Sequence, residues 1–442
     1  MVQQTKKRPT LNDATWDYDE IVRKREQYMA PSLQTFTAFE RPLLLSRGDR
    51  QYVWDADGKR YLDCLAQNLC ISVGYNHPRV NKAIIDQMQA IQHVTTMYYH
   101  PEPVAFSEEL VARMPAGEDW VVHLVNSGAE AIDLAILMAR TYSRNFDLLC
   151  LRNSYHGMHF GAMAASGLAL CRQPVATSPG FVHAYNPDQY RGIFGPGVEP
   201  YIEDLRRVID SATCGEVAGI MIEPIQGYGG VIPVPKGYIR KAAALVRSAG
   251  GVCIIDEVQT GFGRTGDHFW GFEIDDVVPD VVVMSKGIGN GFPLAAVVAR
   301  REVAEPMTVR KFFNTYGSNP MASAAGRAVL AAIDEEDIQE NAREVGKALT
   351  TTLGRLKAKY DVIGDVRGRG LMQGIEFVSD HTMRKPADKE ASRVQECARE
   401  NGVILGRSGQ HKNVLRINPP LCMSMDDVKL LEQALDGAVA RL

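Results

Sequence analysis

Short apolar segments alternate with helical stretches between about residue 120 and residue 300. The segments are almost continuously apolar, as expected for strands buried on both faces of a sheet. Amphipathic stretches such as residues 237–249 separate several of them, which predicts a largely parallel sheet covered by helices. The predicted strands are Val121–Val125, Leu148–Leu151, Ala218–Ile222, Val252–Ile255, Val281–Met284 and Ala295–Ala299.

Both ends of the chain follow other patterns. Residues 52–63 predict a β-hairpin with an Asp-Gly turn. Beyond about residue 320, apolar residues recur at steps of three and four from Ile338 onwards, which predicts a long amphipathic helix. A strand is predicted at Leu371–Val378, and a last helix after Ser424, with Asp427 three residues on as in a capping box.

These patterns predict an α/β protein with two domains. Residues 66–325 are expected to form a large domain around a mixed, mostly parallel sheet. Residues 1–65 and 326–442, from the two chain ends, are expected to form a smaller α+β domain. The length of 442 residues agrees with this division because it exceeds what a single small core needs.

Composition and charge argue against two classes of partner. Hydrophobic residues make up 45% of the chain and charged residues 23%, which is ordinary for a globular protein. The formal net charge of -4 gives no reason to expect a nucleic-acid partner, and the basic cluster Lys6–Arg8 is interpreted as a solvated tail. Since no apolar stretch is long enough to span a bilayer, no membrane partner is expected either.

The cysteines bear on compartment and metal binding. None of them shows CxxC spacing or belongs to a Cys/His cluster with zinc spacing, so no metal site is expected. Their scatter suits a reducing compartment, and the N-terminus shows no hydrophobic signal core and no Arg/Ser-rich amphipathic presequence. We therefore expect a cytoplasmic protein. The eight cysteines are at positions 64, 70, 150, 171, 214, 253, 397 and 422.

Gly261–Gly266 matches the dinucleotide-binding pattern GxGxxG. That pattern works only when a helix opens directly after the glycines. Residues 267–272 lack a helical apolar period, and Asp280, at about the offset of a ribose-binding acid, begins a strand. We interpret the match as a loop.

Three predicted strand ends carry polar residues that a plain core would not need. After the first, Ser127 and Glu130 have capping-box spacing, which alone indicates a helix start. The same strand, glycine turn and helix N-terminus also suit an anion such as phosphate. After the second, Asp256 could cap a strand in solvent, or it could keep a pyridine ring nitrogen protonated.

The third strand end carries Lys286, followed by glycines at 287, 289 and 291. A surface lysine in a flexible loop would explain the lysine but not the glycines. An imine-forming lysine in a partly desolvated site explains both. Because sites in open α/β sheets gather at the carboxyl ends of strands, the three segments predict one site.

Five motifs together resemble the class III aminotransferases, and the similarity extends from about residue 35 to the C-terminus. Within that class, segments 250–256, 268–272 and 287–293 look most like the mitochondrial-type (second) alanine–glyoxylate aminotransferase subgroup. The resemblance implies fold type I and a pyridoxal 5′-phosphate cofactor that alternates with pyridoxamine 5′-phosphate. It also implies a homodimer or a dimer of dimers with shared active sites. The motifs are Asn126–Ala131, Tyr155–Gly157, Glu223–Gly227, Asp256–Arg264 and Ser285–Gly287.

The resemblance also implies roles for single residues. Lys286 holds the cofactor as a Schiff base and moves the substrate proton, and Asp256 pairs with the pyridinium nitrogen. Tyr155 stacks on the ring, with His156 expected to support Tyr155. The remaining cofactor contacts are Gln259 at the phenolic oxygen, Ser127, Gly128 and Ala129 at the phosphate, and Thr315 at the phosphate of the neighbouring subunit.

Substrate contacts are implied for three residues. Arg416 matches an arginine that grips a substrate carboxylate, although an arginine there could also form a surface ion pair of little energy. Glu223, assigned to both cofactor and substrate, resembles a glutamate that pairs with this arginine, and the pair could open and close as substrates alternate. Leu69 stands where some amine-selective relatives carry a bulky aromatic residue, which argues against an aryl-amine preference.

The leading interpretation is a ping-pong transaminase. The donor would be alanine, a β- or ω-amino acid or an amine, and the acceptor a small 2-oxo acid such as glyoxylate or pyruvate. One alternative is a lyase acting on a phosphorylated amino alcohol, against which Arg416 favours a carboxylate substrate. A non-catalytic regulator that binds pyridoxal phosphate is the alternative from another class.

Overall fold

The computed structural model describes residues 17–34 and 38–442, so the basic cluster Lys6–Arg8 lies outside the described residues. The helices are α1 (Tyr18–Tyr28), α2 (Ala66–Leu69, a single turn), α3 (Pro78–Ala90), α4 (Pro101–Val111), α5 (Gly128–Ser143), α6 (Phe160–Ala165), α7 (Glu199–Ala212), α8 (Tyr238–Ser248), α9 (Arg301–Ala304), α10 (Pro320–Glu335), α11 (Ile338–Lys359), α12 (Asp388–Glu400) and α13 (Met425–Val439). No helix in this part of the chain is long and apolar enough to cross a membrane.

The strands form one large sheet, two smaller sheets and a short two-stranded ribbon. They are β1 (Leu45–Asp49), β2 (Tyr52–Asp55), β3 (Arg60–Asp63), β4 (Trp120–Val125), β5 (Leu148–Leu151), β6 (Phe181–Ala184), β7 (Gly219–Ile222), β8 (Ile225–Gln226), β9 (Ile232–Pro233), β10 (Val252–Asp256), β11 (Val281–Met284), β12 (Ala295–Arg300), β13 (Ile363–Arg369), β14 (Met372–Asp380), β15 (Lys385–Pro386), β16 (Val403–Ile404), β17 (Gly406–Ser408) and β18 (Val414–Ile417).

The large sheet has seven strands in the order β4-β12-β11-β10-β7-β5-β6. Neighbouring strands are parallel except at β12, which runs antiparallel to both β11 and β4. This confirms the predicted mixed, mostly parallel α/β sheet and its six predicted strands. Strand β6 was not predicted, because it is a half-buried edge strand with His183 inside it and so lacks a continuous apolar run.

Both faces of the large sheet are buried, which explains its continuous apolar strands. Side chains alternate between the two faces along a strand. In β10, Cys253 and Ile255 join one hydrophobic cluster and Ile254 joins the other. Because both faces of the sheet need apolar side chains, the strand sequences do not alternate between apolar and polar residues.

One of the smaller sheets, β1-β2-β3-β16, joins distant parts of the chain. Strand β3 near the N-terminus pairs in parallel with β16 near the C-terminus, as a domain built from both ends requires. The predicted cap of α13 is present: Ser424 Oγ accepts from the Asp427 N–H at 3.3 Å, and Asp427 accepts from the Ser424 N–H at 2.7 Å. The domain boundaries at 65 and 325 stay a prediction.

The loop Gly261–Gly266 opens no helix, and the next helical residues form a short 3-10 turn at Gly271–Asp275. Its glycines instead permit close packing on α11. A Cβ on Gly266 would lie 2.7 Å from the Cα of Arg343, and one on Gly263 would lie 3.1 Å from the Cβ of Gln339. The structure thus gives these glycines a packing role.

Candidate active site

The carboxyl ends of β4, β10 and β11 bring the three predicted segments into contact. A Cβ built on Gly128 would lie 3.5 Å from the Cβ of Ser285 and 3.6 Å from the methyl carbons of Val258. Three segments therefore pack against one another on one side of the site: the start of α5, the residues after Asp256 and the residues before Lys286. The sequence predicted this grouping.

At the first segment, Ser127 caps α5. Its Oγ accepts from the N–H of Glu130 at 3.2 Å, and the carboxylate of Glu130 accepts from the N–H of Asn126 at 2.7 Å. The first N–H groups of a helix have no partner within the helix and carry positive partial charge. The segment is thus both a helix cap and a surface suited to a phosphate. The phosphate roles of Ser127, Gly128 and Ala129 stay predictions.

Asp256 is buried rather than a solvent-facing strand cap, with 4% of its surface exposed. Its Oδ2 lies 2.7 Å from Nδ1 of His156, and its Oδ1 accepts from the N–H of Val258 at 3.0 Å. Burial opposes protonation of His156, but the hydrogen bond and charge of Asp256 outweigh it and raise the His156 pKa. The sequence associated His156 with Tyr155, whereas its ring nitrogen contacts Asp256.

Lys286 follows β11 in the left-handed region, with φ +52°. Such strain in a non-glycine residue persists only where the surroundings impose it, often at functional sites. Ser72 Oγ donates to the carbonyl of Gly287 at 2.6 Å, and the Asn290 amide donates to the carbonyl of Gly74 at 2.8 Å. These bonds fasten the glycine-rich loop to residues 72–74.

Burial lowers the pKa of Lys286, while the charge of Asp256 opposes the shift and that of Arg416 adds to it. A lowered pKa increases the fraction of neutral amine, which is the form that attacks a carbonyl. The lysine therefore has the electrostatic setting of an imine-forming residue.

Gln259 lies in a space that Gly227 leaves open. The amide is 93% buried, and its Oε1 has no partner among the described residues. A Cβ on Gly227 would lie 2.2 Å from this oxygen, so no larger residue fits there without a shift. The site combines an unpaired buried amide with a lysine, a buried carboxylate and a helix N-terminus. This set of groups suits a phosphorylated pyridine that carries a ring oxygen. These residues fit pyridoxal phosphate.

Glu223 holds the Tyr155 loop. Its carboxylate accepts from the N–H groups of Tyr155 at 2.9 Å and Gly227 at 3.1 Å, and burial raises its pKa. The Tyr155 ring packs edge-on against Tyr228, with 5.4 Å between centroids. Glu223 thereby fixes the position from which Tyr155 would meet the cofactor ring.

Arg416 is 96% buried, so it is not a surface ion pair. Its Nη2 donates to Oδ1 of Asn68 at 3.0 Å, its guanidinium lies 5.3 Å from the Tyr228 ring centroid, and its Nε has no partner among the described residues. Burial lowers its pKa to about 10. Within the described residues Arg416 bonds to Asn68, and Glu223 bonds to backbone N–H groups, so the Arg416–Glu223 pair that the resemblance implies is open here.

Leu69 and Thr315 occupy different surroundings. Leu69 is buried, and its carbonyl lies 3.8 Å from a Cβ built on Gly287, so it belongs to the Lys286 site. Thr315 is exposed, while the preceding Asn314 accepts from the Asn126 amide at 3.2 Å. The substrate role of Leu69 and the cofactor role of Thr315 stay predictions.

The sequence did not predict the contacts of three residues of the site. They are His156, which contacts Asp256, Tyr228, which lies between Tyr155 and Arg416, and Asn68, which binds Arg416. Each directly adjoins a residue or motif that was recognised. Their position next to a recognised motif in the sequence was the only sign that these residues belong to the site. It did not reveal which partner each side chain contacts.

Comparisons with known proteins agree with this geometry. The family model described as Aminotransferase class-III matches residues 36–439. The chain is 44% identical to alanine–glyoxylate aminotransferase 2 homolog 2, mitochondrial, of Arabidopsis thaliana, over 96% of this chain and 88% of that protein.

Two solved structures are similar over almost their whole length. The structure of a Bacillus anthracis aminotransferase matches with TM-score 0.89 and 30% identity, covering 96% of this chain and 98% of the other. The structure of a phospholyase from Arthrobacter in complex with phosphoethanolamine matches with TM-score 0.88 and 33% identity, covering 96% and 100%.

Proposed function

Because the chain belongs to the class III aminotransferases, we propose that it moves an amino group from alanine or a β- or ω-amino acid to a small 2-oxo acid such as glyoxylate or pyruvate. The similarity to alanine–glyoxylate aminotransferase 2 supports this choice of substrates. The enzyme is a pyridoxal-phosphate-dependent transaminase of fold type I. In its ping-pong reaction the donor delivers its amino group and leaves before the acceptor binds.

Bound pyridoxal phosphate supplies an electron sink for the bond broken at the substrate Cα. Asp256, held by His156, would pair with the ring nitrogen and keep it protonated. Lys286 would bind the cofactor and, as a base with a lowered pKa, would accept the Cα proton. The other residues that hold the cofactor are Ser127, Gly128, Ala129, Tyr155, Glu223, Gln259 and the Thr315 of a second copy.

The buried guanidinium of Arg416 is the observation that supports a carboxylate substrate. It has a free Nε, a neutral amide partner and no carboxylate paired with it among the described residues. A buried arginine in this state offers paired N–H donors to an incoming carboxylate. A phosphorylated amino alcohol, the substrate of the alternative lyase, has no carboxylate to place there.

A donor-by-acceptor activity matrix on the purified protein tests the proposed function. Amino acids and simple amines are paired with glyoxylate, pyruvate or no acceptor, and phosphoethanolamine is included because of the likeness to the Arthrobacter phospholyase. The proposal expects product only when donor and acceptor are both present. Release of phosphate from phosphoethanolamine alone would establish the lyase instead.

We also propose a homodimer, alone or paired into a dimer of dimers. Tyr98, Tyr99, Phe313 and Tyr316 are exposed by 53% or more, and the His93 ring, 5.1 Å from that of Tyr316, joins the two segments. Clustered exposed aromatic residues are typical of a protein interface.

Complementation tests the shared site of this dimer. If Thr315 serves the partner's phosphate, mixing inactive Lys286→Ala chains with impaired Thr315→Ala chains creates hybrid dimers that contain one intact site. Activity should then return towards half of wild type per hybrid dimer. If Thr315 acts within its own chain, every hybrid site lacks one residue and no activity returns.

For localisation we propose the cytoplasm, supported by the eight free cysteines, of which Cys64, Cys150, Cys253 and Cys422 are buried in the reduced form. The relative from Arabidopsis thaliana carries the word mitochondrial in its name. Fractionation of the source cells, followed by immunodetection, separates the two compartments. Recovery in an organelle fraction would overturn the proposal.

A further inference from the structure

Residues Ala66–Leu69 form a left-handed turn beside Arg416. Their φ angles are +51°, +49°, +59° and +66°, although none of the four is glycine. Left-handed backbone costs an L-residue about 1–2 kcal/mol, and it rarely occurs in successive residues. Such a turn needs support from its surroundings.

Asp63 and Tyr75 provide that support. Asp63 is fully buried, and its Oδ1 accepts from the N–H groups of Leu65 and Ala66, each at 2.9 Å. Its Oδ2 accepts from the Tyr75 hydroxyl at 2.5 Å. A buried carboxylate with two backbone donors and a phenol thus fixes the entrance to the turn.

The turn directs Asn68 to Arg416. Asparagine tolerates the left-handed conformation better than most residues, and here its Oδ1 accepts from Nη2 of the arginine at 3.0 Å. Gly406 makes room for this arrangement, because a Cβ there would lie 3.2 Å from the arginine Nε. The substrate-facing arginine therefore has a partner that is polar but uncharged.

We propose that Asn68 is a specificity-determining residue, which holds the Arg416 guanidinium in place without neutralising it and so favours substrates with a carboxylate. This inference rests on the proposed carboxylate role of Arg416. A neutral amide supplies one hydrogen bond and leaves the positive charge for the substrate. Asn68 is exposed while the guanidinium is buried, so an aspartate at the same point would form a part-buried ion pair that an incoming carboxylate must break.

The test compares Asn68→Asp with two other variants. Asn68→Gly keeps a backbone that tolerates positive φ but removes the amide. Asn76→Asp is the matched control, since Asn76 is an exposed asparagine with φ +52° that bonds to the Gly48 carbonyl. KM and kcat are measured for a 2-oxo acid and for an amine donor without a carboxylate. Propanoate is the non-reacting probe, followed by the rise it causes in the thermal midpoint of the holoenzyme.

Asn68→Asp should raise the KM for the 2-oxo acid by about tenfold or more and abolish the propanoate shift. The amine half-reaction should stay within about twofold, because it does not use the guanidinium. Asn76→Asp should match wild type in both measurements. Asn68→Gly should raise KM clearly less than Asn68→Asp does, because it removes one hydrogen bond to the guanidinium without placing a negative charge beside it.

Two results would overturn the inference. One is an unchanged KM and propanoate shift in Asn68→Asp; the other is an equal loss in Asn68→Asp and Asn68→Gly, which would mean that only the shape of the turn matters. The propanoate shift needs no turnover. Absence of transamination in wild type would therefore refute the proposed function separately.

Discussion

Replacing His156 tests how the site holds Asp256. The histidine Nδ1 is the only side-chain partner of the Asp256 carboxylate among the described residues, at 2.7 Å, and both groups are buried. In His156→Leu the carboxylate would keep one backbone donor, the N–H of Val258. In His156→Asn an amide nitrogen would stand close to the position of Nδ1 and retain a donor.

The expected loss follows from that single bond. A hydrogen bond to a charged group contributes about 1.5–3 kcal/mol, which corresponds to about a ten- to a hundredfold change in rate if it acts in the transition state. We expect this loss in kcat for His156→Leu, with the KM of the donor little changed. His156→Asn should recover most of the loss, since it restores a donor without the imidazole.

The assay follows the amino-donor half-reaction by cofactor absorbance, with an α-deuterated donor to show that proton removal is the slowed step. His159→Leu is the matched control, because His159 pairs with Asp133 at 3.6 Å in an exposed position where such pairs contribute little. It should lie within about twofold of wild type. A His156→Leu rate within threefold of wild type, or one no lower than the His159→Leu rate, would refute this account of Asp256.

Four further predictions follow from the same contacts. Asp256→Asn should lower the half-reaction rate by about a hundredfold or more with cofactor still bound, and near-normal turnover would make the residue a structural cap. Arg416→Ala should cost 2-oxo acids about 2–5 kcal/mol in kcat/KM, with poor rescue by lysine, and an equal loss for a plain amine would contradict the clamp. Gly227→Ala should weaken reconstitution of the apoenzyme with pyridoxal phosphate, because its Cβ occupies the space of the Gln259 amide; an unchanged dissociation constant would count against that cradle. The pKa of His156 is raised in the folded protein, so protonated His156 stabilises the fold fully below about pH 6.5. This contribution is lost as the pH rises above about 6.5 through the folded-state pKa. The urea midpoints of wild type and His156→Asn should therefore converge as the pH is raised above about 6.5.

The parts predicted from sequence are those that local pattern determines. Strands β5, β7, β10, β11 and β12 were recognisable because both of their faces are buried. Edge strand β4 is partly exposed but was recognisable by its longer apolar run on either side of His123. Asp256 and Lys286 were recognisable as polar residues at the ends of buried strands. Edge strand β6 lacks that pattern, with only one of its four residues fully buried.

The contacts that were missed join residues far apart in sequence. His156 and Asp256 are separated by 100 positions, and Asn68 and Arg416 by 348. Neither pair shows a spacing that periodicity could reveal, because tertiary packing alone brings them together. The left-handed turn at Ala66–Leu69 was equally hidden, since it contains no glycine and is imposed by the buried Asp63.

The central claim, that this enzyme transfers an amino group in two separate half-reactions, is tested most directly by a stoichiometric experiment. Purified holoenzyme is mixed with excess alanine and no acceptor, pyruvate is quantified against active sites, and glyoxylate is then added. The account predicts one equivalent of pyruvate per site, a halt, and continuous formation of pyruvate and glycine once glyoxylate is present. Continuous turnover with alanine alone, or no response to any 2-oxo acid, would contradict it.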